Sequence, residues 1–220
     1  MKNRYFFITF EGIDGSGKST QMYKLLEYIR NNDDYPFGNK YSNIWLTREP
    51  TDITKYGRKI IKLIKSEKLT KEEAFEFYIK DRIEHSRLIK KYLNKSYVVC
   101  SRFDISTFAY QHVQGYSYED IYNAHGFDKG MSQVPDLTII VDIDPEMAFE
   151  RCNSRGEDSG FFEKKEFLIQ AAKAQLDAVK WWQKYHPERK FVIVNGNLSI
   201  EEVTKDMLEK IAVDFMEIKK

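Results

Sequence analysis

The segment Gly12-Ile13-Asp14-Gly15-Ser16-Gly17-Lys18-Ser19 fits the spacing G-x-x-x-x-G-K-[ST]. It follows an apolar run, Tyr5 to Phe10, whose length suits a buried parallel strand. Glycines at these places let backbone N–H groups turn inward on a polyphosphate, and the helix that follows offers the positive end of its dipole. Lys18 can then reach the outer phosphates, while the Ser19 hydroxyl can ligate Mg²⁺. The chemistry implied is the handling of a nucleoside triphosphate. Its candidate site comprises Gly12, Asp14, Gly15, Ser16, Gly17, Lys18, Ser19 and Thr20.

Other charged residues stand where further apolar runs end. Thr47-Arg48-Glu49-Pro50 closes the second run, Ser101-Arg102-Phe103 the third, and Asp142-Ile143-Asp144-Pro145 the fourth, with Arg151 and Arg155 beyond it. Ligands of open α/β sheets collect at the carboxyl ends of strands, so these arginines converge on one rim. A guanidinium fork suits phosphate oxygens. Several such forks beside a triphosphate would bind a second phosphate and stabilise the charge that spreads during transfer.

The elements that must position these groups are visible as a pattern. Strand-like runs at Tyr5–Phe10, Ile44–Thr47, Tyr97–Cys100, Leu137–Asp142 and Phe191–Val194 are separated by longer segments of helical periodicity, which implies βαβ units and a parallel sheet. Thr70 to Glu73 and Ser199 to Glu202 read as capping boxes, and Asp144 before Pro145 reads as an N-cap, so helices are expected to start at those three points. Leu168, Ala171, Gln175, Val179 and Trp182 share a stripe on a helix expected from about Glu163 to His186, with Trp181 and Trp182 as packing residues. The expected fold is a three-layer α/β/α P-loop domain over residues 1–220, with a mostly parallel five-stranded sheet and a short lid at about 151–162.

Composition narrows the classes of partner. Thirty-five Lys and Arg balance 34 Asp and Glu for a net charge of +1, which gives no long-range attraction to nucleic acid or to an anionic membrane. Cys100 and Cys152 are too few for a disulfide framework and lack metal spacing, so reduced core thiols in a cytoplasmic protein are expected. The Tyr5–Phe10 run is too short to span a membrane. Asn31 to Ser42 reads as a surface loop. His85, His112, His125 and His186 show no ligand spacing and are expected in packing or at the surface.

Over most of its length the chain resembles the thymidylate kinase family of nucleoside monophosphate kinases. The likeness rests on Phe7 through Gln21 around the phosphate loop, on Thr47-Arg48-Glu49-Pro50, on Asp81-Arg82, and on Arg102-Phe103 with Ser106 and Ala109-Tyr110-Gln111. Pro135-Asp136-Leu137 and Asp144-Pro145 complete it.

The resemblance implies that Lys18 and Ser19 serve ATP and Mg²⁺, and that Asp14 holds the 3′-hydroxyl of a deoxyribose. It implies that Arg48 and Arg102 grip the acceptor monophosphate, with Ser106 and Gln111 in the same pocket. It also implies that Tyr78, one helical turn before Arg82, stacks on thymine where relatives usually carry Phe, that Arg82 reaches the base carbonyl, and that Tyr110 lies under the sugar. Because Ser16 occupies the loop position where some members keep a transfer-promoting arginine, Arg151 and Arg155 are the lid candidates. A homodimer is expected by the same analogy.

Two places depart from the family pattern. Ser101 stands where an aspartate is usual, which leaves open slower chemistry, a shifted acceptor, or compensation by Glu11 or Asp142; Glu11 is also a tentative metal ligand beside Ser19. Thr51-Asp52 replaces a Gly-Gly-Thr turn. The expected activity is transfer of the γ-phosphoryl group of ATP to deoxythymidine 5′-monophosphate. Alternatives are a deoxynucleoside kinase, a monophosphate kinase for another base, or a nucleotide-binding module that has lost transfer activity.

Overall fold

The computed structural model describes residues 5–32, 43–65, 70–154 and 165–218. Arg155 and the rest of the expected lid to Phe162, the start of the long helix at Glu163, and most of the Asn31–Ser42 connection lie outside the described residues.

Strands β1 (Phe7–Glu11), β2 (Ile44–Arg48), β3 (Tyr97–Ser101), β4 (Leu137–Asp142) and β5 (Lys190–Asn195) form one sheet in the order β2-β3-β1-β4-β5. Every pairing is parallel, so the sheet is fully rather than mostly parallel. The chain runs from the central β1 to the edge strand β2, comes back to β3 beside β1, then crosses to β4 and β5 on the other side. The order therefore reverses at β1, and a crevice opens beyond its carboxyl end. All five runs expected from the sequence are strands, and β1 starts at Phe7 rather than Tyr5.

Alternation along the strands feeds two faces. Phe6, Ile8 and Phe10, with Leu137, Ile139 and Val141, point into a core shared with α1 (Lys18–Asn31) and α8 (Ile200–Ile218). Phe7, Val98 and Cys100 point the other way, as does Ile140, toward α3 (Lys71–Tyr92), α4 (Asp104–Val113) and α7 (Lys165–Tyr185). Glu11 has the parity of Phe7, so its carboxylate is delivered to the α4 side.

Local signals start the helices where expected. Thr70 and Glu73 make both bonds of a capping box, Ser199 and Glu202 do the same for α8, and Asp144 caps α6 (Pro145–Asn153) through the Glu146 N–H at 2.8 Å. On α7 the stripe Leu168, Ala171, Gln175, Val179 and Trp182 is buried. Trp182 is fully enclosed, whereas Trp181 packs half-buried at the edge of the same cluster. Both cysteines are free and buried. The remaining helices are α2 (Lys55–Lys65) and α5 (Tyr118–His125).

Candidate active site

The phosphate loop turns through backbone that only glycine adopts cheaply. Gly12, Gly15 and Gly17 have φ of 151°, 81° and 87°. Gly17 is the N-cap of α1 and has no side chain to cap it; the first N–H of the helix, that of Lys18, donates to Ser16 Oγ at 3.4 Å at the edge of the loop. Ser16 closes the turn, its N–H donating to the Ile13 carbonyl at 3.2 Å. Lys18 is buried beneath the loop, where its Nζ donates to the Ile13 carbonyl at 3.3 Å and lies 3.7 Å from Asp14. Ser19 and Thr20 stand exposed on the first turn of α1, which leaves the Ser19 hydroxyl accessible to a metal–phosphate complex.

Parallel pairing of Phe10 with Ser101 brings the end of β3 against the loop. Arg102, the next residue, has φ of 62°, a left-handed conformation that costs an ordinary residue about 1–2 kcal/mol. Its guanidinium reaches into the mouth of the loop. Nη1 donates to the Gly12 carbonyl and to Ser106 Oγ, each at 3.2 Å, and Nη2 donates to Asp14 Oδ1 at 2.5 Å. Tyr110 donates its hydroxyl to Asp14 Oδ2 at 3.1 Å and lies under the guanidinium at 5.3 Å. Lys18, Asp14, Arg102, Ser106 and Tyr110, expected as donor and acceptor contacts, therefore form one connected cluster.

Burial and charge tune this cluster in opposite directions. Burial acts to raise the Asp14 carboxyl, but Arg102 and Lys18 outweigh it and hold the group well below the usual carboxylate range. Burial, reinforced by Arg102, pushes the Lys18 amine down to about 8. Burial raises the Tyr110 phenol, so it stays a neutral donor.

Glu11 is completely buried with both oxygens engaged. Oε1 accepts the Phe103 N–H at 2.8 Å and Oε2 accepts the Ser106 hydroxyl at 2.5 Å. Burial and the neighbouring Asp104 push its carboxyl up to about 7. This arrangement points Glu11 at the start of α4, in contrast to the metal contact expected for it.

Helix α3 carries Tyr78 and Arg82, the residues expected to meet the acceptor base. Asp81 accepts the Thr51 N–H at 2.9 Å and the Thr51 hydroxyl at 2.8 Å, and it also bonds Thr54, so the Thr51-Asp52 turn that departs from the family pattern is fastened by a carboxylate. Arg82 is buried and bonds Glu49 and Thr107 through Nη2 and His125 through Nη1; its Nε has no partner among the described residues. His85 bridges Glu49 and Thr47 at 2.9 and 2.8 Å. Tyr78 is half-buried, and burial raises its phenol, with Arg102 and Asp14 among the charges it senses. Arg48 is exposed at the end of β2, beside Ser101. Gln111 is buried on α4, its Oε1 without a partner among the described residues.

Arg151 rests on the turn that follows β5. Its Nη1 donates to the Gly196 carbonyl at 3.4 Å, where β5 leads into α8, and its Nη2 contacts Met147 Sδ at 3.3 Å. Asp142 at the end of β4 is half-buried, its carboxyl raised by burial, and the Gly196 N–H donates to its backbone carbonyl at 2.5 Å. Sequence reasoning missed Thr107, His85 and His125 as members of the network around Arg82 and Glu49. The position of His85 one turn beyond Arg82 was the available signal.

A family model described as thymidylate kinase matches residues 10–207. A protein of Methanococcus vannielii named as a probable thymidylate kinase is 38% identical over 191 residues, covering 86% of each chain. Proteins of the same name from Methanosarcina acetivorans and Archaeoglobus fulgidus are 37% and 32% identical, over 96% and 97% of each chain respectively. Among the described residues, no helix is long and apolar enough to cross a membrane.

Proposed function

Since the chain belongs to the thymidylate kinase family, we infer that it transfers the γ-phosphoryl group of ATP to deoxythymidine 5′-monophosphate, forming ADP and the diphosphate. The observation that carries this reading is the placement of Arg102. An arginine delivered by β3 lies in the mouth of a phosphate loop delivered by β1, with its Nη1 3.2 Å from the Gly12 carbonyl.

An oxygen of the acceptor phosphate attacks the γ-phosphorus, and the bond to the β–γ bridging oxygen breaks, leaving its electron pair on ADP. The acceptor is already anionic, so no side chain has to take its proton. What this chain supplies is position and charge. The loop amides and Lys18 hold the triphosphate, Arg102 and Arg48 grip the acceptor phosphate, and Asp14 and Tyr110 hold the sugar. Tyr78 and Arg82 address the base, with Gln111 and Ser106 lining the pocket. The left-handed loop backbone and the exposed Ser19 fit a magnesium–triphosphate complex, and Mg²⁺ bound there would neutralise phosphate charge. Arg151 and Arg155 are the lid arginines for the moving phosphoryl group. Free nucleotides as ligands, a cytoplasmic setting and a homodimer belong to the same reading.

The test is an ADP-release assay with Mg·ATP against a panel of nucleosides and monophosphates. Turnover with deoxythymidine monophosphate above thymidine and above other monophosphates is expected. Preference for thymidine, or binding without ADP release, overturns the reading.

A further inference from the structure

We propose that Glu11 is a positioning residue for Arg102, holding the acceptor-side guanidinium in place by gripping the peptide that follows it and by setting the polarity of the Ser106 hydroxyl. The inference rests on the acceptor role given to Arg102 above.

The strained backbone of Arg102 is fastened on each side. Its N–H donates to the Phe10 carbonyl at 2.8 Å, and its carbonyl accepts the Cys100 thiol at 3.0 Å. The next N–H, that of Phe103, donates to Glu11 Oε1 at 2.8 Å. Phe103 is the N-cap of α4 and its side chain offers no cap to the helix; the carboxylate reaching over from β1 takes Phe103's own N–H, the bond that an N3 side chain makes in a capping box. A left-handed arginine persists only where its surroundings over-determine it, and Glu11 supplies one of those constraints.

The second grip acts through a hydroxyl. Above about pH 7, where Glu11 is ionised, Ser106 spends its proton on Glu11 Oε2, which leaves its lone pairs to accept Arg102 Nη1 at 3.2 Å. Glu11→Gln reverses this. The introduced amide nitrogen would donate to Ser106, taking one of the hydroxyl's two lone pairs and removing the acceptor its proton now has, so the oxygen becomes a poorer acceptor for Arg102. Side-chain volume barely changes, so the effect reports polarity rather than packing.

The experiment is a double-mutant cycle on Glu11→Gln and Arg102→Ala at about pH 8, where the Glu11 carboxyl is ionised, read as kcat/KM for the acceptor and for ATP, with thermal melts to confirm folding. Glu11→Gln is expected to lower acceptor kcat/KM by about 10- to 100-fold, as expected for a displaced reacting group, and to change KM for ATP by less than about 2-fold. In the Arg102→Ala background the same substitution is expected to add less than about 2-fold. Ser106→Ala should reproduce part of the loss and serves as the readout if Glu11→Gln does not fold. An additive loss, an unchanged acceptor response, or a rise confined to the Mg²⁺ requirement overturns the proposal. Wild-type protein that ignores deoxythymidine monophosphate, or an Arg102→Ala variant with normal acceptor kinetics, would instead remove the reading on which it rests.

Discussion

A Cβ placed on Gly15 would lie 2.2 Å from the carbonyl oxygen of Ala148, so the phosphate loop and helix α6 meet backbone to backbone. Gly15 also has φ of 81°, which makes its glycine necessary twice over. Gly15→Ala should move the loop off α6 and misplace the phosphate amides. A displacement of about 1 Å is enough to lower kcat/KM for ATP by about 100-fold. Steady-state kinetics on folded protein checks this, and near-normal ATP kinetics would show that the contact yields without cost.

Lys18 gives the loop a pH signature. Burial, with Arg102, holds the amine at about 8, whereas a triphosphate needs it protonated. Below that pH the empty protein already carries the charge. Above it, binding must first restore a proton, so the dissociation constant for ATP should rise with pH, approaching about tenfold per unit. Calorimetric titration from pH 7 to 9.5 measures the slope. Lys18→Ala should lose turnover, keep its fold and show no such slope; a flat wild-type profile contradicts the assignment.

The parts of the site that repeat a local spacing were legible in the sequence. The loop, the five strands and the three caps each announce themselves within a few residues. What escaped is pairing across distance. His85 and Glu49 are 36 positions apart, and Asp104 and Arg189 are 85 apart, so neither pair leaves a pattern that periodicity could register. His125 reads as packing and is indeed buried, yet it is also a neutral acceptor for Arg82, its own pKa driven well below the usual value by burial and by that guanidinium. Glu11 was readable in principle: it shares the strand parity of Phe7, which fixes the face it serves. Its two partners come from another element, and only the register of β1 with β3 brings them within reach.

Arg48 stands exposed at the rim while its neighbour Glu49 is locked to Arg82 and His85. The buried glutamate anchors the turn, while the arginine takes no part in that buried network and, on the reading proposed above, meets the acceptor phosphate. Arg48→Ala should therefore spare stability and lower acceptor kcat/KM by about 10- to 100-fold, the worth of a charged hydrogen bond. Comparing melting curves with acceptor kinetics separates the two effects, and equal acceptor response in both proteins would make Arg48 a solvated surface group.

Glu11 also marks the pH profile of stability. Burial, then Asp104, raises its carboxyl from 4.5 to about 7, so between those values the folded protein binds a proton that the unfolded chain has released. Its contribution is full below about 4.5 and is lost as pH rises through about 7, a change on the order of 3 kcal/mol. Glu11→Gln carries no such proton. Subtracting the unfolding free energies of the two proteins from pH 5 to 8 should leave a difference that falls with pH; a difference that rises or stays level would place an ionised carboxylate at this position.

The start of α4 is pinned from its other side by Arg189, which donates from both Nη atoms to the Asp104 carboxylate and from Nη2 to Thr138 Oγ1 at 2.9 Å, with the Trp182 and Phe191 rings over its guanidinium. Both side chains of the pair are wholly shielded from solvent. A buried pair gains little over apolar residues of equal size, yet removing one member strands the other charge, at a cost of about 3–5 kcal/mol. Arg189→Ala should lose about that much in denaturant melts. Arg189→Ala with Asp104→Ala should recover part of it, because no orphaned charge remains. An exposed pair such as Lys210 and Asp206 supplies the contrast, with Lys210→Ala costing less than about 1 kcal/mol. If the double variant were no more stable than Arg189→Ala alone, the loss would lie in packing against Trp182 rather than in charge. The start of α4 would then depend on its neighbouring rings more than on its ion pair.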